Sequence, residues 1–64
     1  MKKLVVIVPA YNEEKTIIDT LVGLLSIKQD LVERGYDLII RVVDDGSTDR
    51  TKVLANDYKE VSVI

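Results

Sequence analysis

VVIVPAYNEE, Val5 to Glu14, and VVDDGSTD, Val42 to Asp49, are the stretches whose reading decides the fold of this chain. Each begins as an apolar run that reads as a buried strand. Each then breaks into small, polar and acidic residues, and a helical pattern follows. In an open α/β sheet such a strand-to-helix corner lies at the carboxyl end of a strand, where ligands bind. Two corners of this kind on neighbouring parallel strands would form one crevice, and function is to be sought there.

Outward from these stretches, the pattern assigns the rest of the chain. Leu4 to Val8 is apolar without alternation, which predicts a parallel strand covered on both faces. Pro9 has no amide hydrogen and is expected to close that strand, leaving Ala10 and Tyr11 in a loop. Asn12 reads as a helix N-cap, with Glu13 and Glu14 in a first turn where carboxylates complement the helix dipole. Ile17, Leu21, Leu24, Leu25, Lys28, Leu31 and Val32 recur at three- and four-residue steps, and Ile18 and Val22 widen the stripe. This predicts one long helix ending at Arg34-Gly35, a cation and then a glycine cap. Gly23 weakens that helix and is expected where it approaches a strand closely. Asp37 to Val43 is a second strand, interrupted by Arg41. Ser47 or Thr48 is expected to cap a second helix running to Lys59, with Val53, Leu54 and Tyr58 as its apolar face. Val61 to Ile64 begins a third strand. The fold class is therefore α/β: a βαβαβ, Rossmann-like half with a parallel three-stranded sheet, in one domain over residues 1–64.

Composition bounds the chemistry. Sixty-four residues make one small domain with a thin core. A formal net charge of −2 gives no reason to expect nucleic acid or an anionic membrane as partner. With no Cys and no His, disulfides, thiolate zinc sites, cysteine nucleophiles and imidazole-dependent triads are excluded. The opening MKKLVVIVP stops being apolar at Pro9, too soon for a signal peptide or a membrane span, so a cytoplasmic location is expected, with membrane association as the alternative if the chain is part of a longer protein. Val61-Ser62-Val63-Ile64 reads as an unfinished strand, the mark expected of a piece of a longer protein. An open sheet with an uncovered edge is expected to self-associate.

The first corner does not suit phosphate. It has no glycine, so it is neither a P-loop nor a dinucleotide fingerprint. Glu13 and Glu14 would repel an anion from the helix end. What remains for a ligand is uncharged: Tyr11 offers a flat face to a base, and Glu13 offers acceptors to ribose hydroxyls or base N–H groups. At the second corner, Asp44 and Asp45 are adjacent in an extended chain and point to opposite sides, so they should not chelate one metal together. One would face the crevice and accept from a ligand. The other would turn back onto the amides of Gly46 to Thr48. Taken singly, each of these residues has an ordinary structural explanation as a loop aromatic, a dipole partner or a turn. Their combination, in order and on adjacent strands, carries the functional reading.

VVIVPAYNEEKTI followed by VVDDGSTD resembles the beginning of a family 2 glycosyltransferase, the inverting kind with the A-type nucleotide-sugar fold. The P-A-Y-N-E-E form is most similar to the polyprenol-phosphate (dolichol-phosphate mannosyl or glucosyl) transferases. The resemblance implies that Pro9, Ala10, Tyr11 and Glu13 line a base and ribose pocket for a UDP- or GDP-sugar. It implies too that Asp45 accepts from the base N–H and that Asp44 supports the turn. In that family magnesium or manganese, held by a D-x-D motif, neutralises the leaving diphosphate. No D-x-D occurs in these residues, and the family's general base also lies later. The chain is thus expected to bind no metal by itself, to hold no catalytic residue and to be inactive alone. The competing reading is a non-catalytic nucleotide-binding module or a vestigial fragment.

Overall fold

The computed structural model describes residues 1–64. Its elements run β1 (Lys2–Ala10), α1 (Ile17–Ser26), α2 (Lys28–Glu33), β2 (Tyr36–Asp44), α3 (Thr51–Asn56) and β3 (Val61–Val63). All three strands are parallel in the order β1-β2-β3, with β2 central. The expected α/β class and βαβαβ order are therefore present.

Pro9 does not close the first strand. It lies within β1, in register with Val43. Lys2 donates its amide to the Gly35 carbonyl and the Ala10 carbonyl accepts from the Asp45 amide, both at 2.9 Å. The even-numbered residues of β1 thus turn their backbone groups toward β2, and the odd-numbered ones face the open edge. Pro9 is odd-numbered and β1 is an edge strand, so its missing N–H costs the ladder nothing.

The sheet is covered on one face rather than two. Leu38, Ile40 and Val42 of β2 are buried, together with Ala10, Val61 and, from the helices, Ile17, Leu21 and Ala55. The alternate residues Val5, Ile7, Arg41 and Val43 are exposed. The cause is topological. Strand order advances in one direction, and successive right-handed crossovers then lay their helices on the same side. An unbroken apolar run reports that both faces of a strand prefer cover, but it does not say that the cover is present among these residues.

The long helix is divided. α1 and α2 meet at Ile27, whose amide bonds the Leu24 carbonyl three residues back at 3.3 Å. Ser26 Oγ donates to the Gly23 carbonyl at 2.6 Å, a back-bond of the kind that bends helices. Gly23 approaches no strand; the space around it is open. The glycine ending holds as expected: Gly35 sits at φ 88° and its amide bonds the Val32 carbonyl at 3.0 Å. No helix is long and apolar enough to cross a membrane.

Candidate functional site

The register that sets Ala10 opposite Asp44 brings the two corners together at the carboxyl edge of the sheet. The Asp45 amide donates to the buried Ala10 carbonyl, so the second corner leaves the sheet directly beside Tyr11. From there the corners bond in both directions. The Asn12 amide donates to Ser47 Oγ at 2.9 Å, the Glu13 amide to Thr51 Oγ1 at 2.7 Å, and the Glu14 amide to Asp49 Oδ2 at 3.3 Å. In return, Asn12 Oδ1 accepts from the Thr48 amide at 2.9 Å and from the Asp49 amide at 3.4 Å.

This network replaces the expected helix caps. Asn12 is no N-cap: it sits at φ 51°, in the left-handed region that Asn tolerates better than most side chains. Its side chain reaches the other corner, and the helix begins only at Ile17. Glu13 and Glu14 therefore precede α1 rather than forming its first turn. Ser47 and Thr48 likewise cap nothing. α3 starts at Thr51, whose amide is taken by Asp49 Oδ1 at 2.9 Å.

The two adjacent acids divide their roles. Asp44 accepts from the Ser47 amide at 3.2 Å and from the Ser47 hydroxyl, so its carboxylate is committed to the turn. Asp45 uses its backbone amide on Ala10, and its carboxylate is exposed with no partner from the protein. Tyr11, 55% exposed, stands free on the first corner. Pro9 is exposed beside it, and Ala10 is buried and contributes backbone. Glu13 keeps one oxygen on the Thr16 hydroxyl at 3.1 Å and remains exposed. The six candidate residues thus share one edge of the sheet, on an open surface with no enclosed cavity.

Residues with no local signal hold the site together. Thr51 is the buried polar residue of the fold: its hydroxyl accepts from Glu13 and donates to Asp49 Oδ1. Its partner amide lies 38 positions away, a distance over which periodicity and capping rules are silent. Asp49 is held by the Thr51 hydroxyl and by the Thr51 and Glu14 amides. Desolvation pushes its carboxyl up, and these hydrogen bonds outweigh that push, leaving the pKa below its ordinary value of 3.8. A depressed folded-state pKa stabilises the fold above the ordinary value and ceases to do so as pH falls through the lowered one. Acid unfolding should accordingly steepen below pH 3.8, and Asp49→Asn should flatten that limb in thermal melts recorded across pH. An identical acid limb in the variant would show that these bonds do not favour the ionised form.

No three Asp or Glu side chains converge to hold a metal ion.

The model of Glycosyl transferase family 2 matches residues 5–64. An uncharacterized protein of Methanocaldococcus jannaschii is 48% identical over 50 residues, a match covering 78% of this chain. The same match spans 17% of the length of that protein. No solved structure matches the chain.

Proposed function

The chain belongs to glycosyl transferase family 2, and on that premise we propose that it is the nucleoside-holding part of an inverting enzyme that moves a sugar from a UDP- or GDP-sugar to an acceptor. The observation that carries the reading is the division between the adjacent acids. Asp44 is spent on the Ser47 turn, while Asp45, whose amide bonds the Ala10 carbonyl, presents an exposed carboxylate with no partner from the protein. A free acceptor on one corner and a flat aromatic face on the corner bonded to it suit a nucleobase, which offers an N–H edge and a π surface. Glu13 is exposed on the first corner, and in this reading its carboxylate serves the ribose hydroxyls. The acidic character of the corner argues against phosphate there, so the diphosphate and the transferred sugar lie away from the first corner.

In this reading the residues bind and orient the donor, and the chemical step belongs to later parts of a longer protein, near which a divalent metal would act. The short match to a much longer relative supports that division of labour. The 64-residue chain is then inactive alone; likeness to the polyprenol-phosphate sugar transferases rests on the P-A-Y-N-E-E form, and a cytoplasmic location on the short apolar run before Pro9. Self-association belongs to the same proposal, supported by the outward amides of Lys3, Val5 and Ile7 along the open edge of β1.

Titration of the labelled chain with UDP and with GDP, followed at the amides of Tyr11, Glu13 and Asp45, tests the reading. Shifts at all three with one nucleotide preferred would support it and identify the donor. If neither nucleotide moves these signals at millimolar concentration, the nucleoside-binding role is lost and a vestigial fragment is what stands.

A further inference from the structure

The geometry points to Asn12 as the positioning residue of the nucleoside-binding surface, an inference that rests on the nucleoside-binding reading above. Tyr11 and Asp45 come from corners 34 positions apart and must keep a fixed spacing to engage one base from its face and its edge. The sheet positions only their roots, through the Ala10 carbonyl and the Asp45 amide. Beyond that bond both segments leave the ladder and are joined by Asn12, by Glu13 on Thr51 and by Glu14 on Asp49; of these three, Asn12 is the one next to Tyr11 and the one whose side chain takes part. Its backbone donates to Ser47 and its side-chain oxygen gathers the Thr48 and Asp49 amides, the Thr48 hydroxyl lying at 3.4 Å from the same oxygen.

The coupling extends to the acids. Ser47 Oγ accepts from the Asn12 amide while its hydroxyl is donated to Asp44, so one hydroxyl links the first corner to the carboxylate that shapes the second. Asp44 held in this way cannot turn outward to compete with Asp45 for the ligand. Asn12 is itself exposed, and its polar side chain fills no part of the core. Its role is therefore to set the distance between corners rather than to hold up the fold. Two properties of Asn are used at once, tolerance of a positive φ and a side-chain carbonyl that accepts two amides.

Three variants separate these properties. Asn12→Gly keeps the left-handed backbone and removes the acceptor, Asn12→Ala removes both, and Asn12→Asp keeps an acceptor at the same place. Affinity for UDP and GDP is read from amide-shift titrations, with a urea unfolding curve for each variant to certify folding. Asn12→Gly is expected to bind the preferred nucleotide about tenfold more weakly, the consequence of about one net hydrogen bond lost. Asn12→Asp should recover most of that affinity. Should Asn12→Ala fail to fold, Asn12→Gly carries the test alone. Wild-type affinity in Asn12→Gly would overturn the positioning role while leaving nucleoside binding intact. A wild-type chain that binds neither nucleotide would remove the nucleoside reading, and this role with it.

Discussion

Leu21→Ala is expected to abolish cooperative folding of the chain, seen as collapse of amide-signal dispersion at 25 °C. Leu21 is fully buried on α1 and is one of the eight buried core residues, which include Ile17, Leu38, Ile40 and Val42. Truncating a buried leucine typically costs ~3–5 kcal/mol, the lost transfer energy plus the cavity left behind. Folded domains hold about 0.05–0.15 kcal/mol per residue, so a chain this short has on the order of 3–10 kcal/mol in total. The substitution therefore removes much or all of the margin. Val22, its neighbour in sequence, is half exposed, and Val22→Ala should cost under ~1 kcal/mol. The contrast tests the rotation of α1. Equal losses at the two positions would mean that the helix packs on a broader face than the structure places against the sheet.

Asp45→Ala is expected to remove detectable nucleotide binding without unfolding the chain. Alanine retains the backbone amide that bonds Ala10, so the junction between the corners survives. What is lost is a free carboxylate acceptor. A hydrogen bond to a charged group is worth ~1.5–3 kcal/mol, or about 10- to 100-fold in affinity. A loss at the upper end of that range carries binding out of reach of the titration, whereas the smaller loss expected for Asn12→Gly stays within it. Glu14→Ala is the matched control: it removes the same charge from the first corner, but only the backbone of Glu14 takes part in the network, through Asp49. Its affinity should stay within about twofold of wild type, since an exposed charge at this distance is largely screened. The reverse order of effects would place the ligand on the first corner and undo the assignment of Asp45.

Much of the site was legible from residue order. An apolar run ending in Pro9-Ala10-Tyr11, and another ending in Asp44-Asp45-Gly46, each mark a strand meeting a corner, and β-register then sets them side by side. That one of the two acids turns back on its own chain was expected from Asx chemistry, which is local; the resemblance assigned Asp44 to that place, and it does so within three residues. Asn12 was misread for the opposite reason. Its capping propensity is a statement about the next few amides, whereas its actual partners are the amides of Thr48 and Asp49. Thr51 and Asp49 had no readable signal, because their roles depend on Glu13 and Glu14 arriving from the other corner.

The sequence by itself determined the element order, the parallel sheet and the family, since periodicity, turn residues and motif spacing are properties of neighbours along the chain. Tertiary structure alone decided that the sheet is covered on a single side, that the long helix divides at Ile27, and that Asn12 and Thr51 bind the corners into one unit. Those outcomes depend on which segments meet in space. Strand order and crossover handedness choose the covered face, and a hydrogen bond across 38 positions exists only once the sheet has brought both of its ends to the same edge.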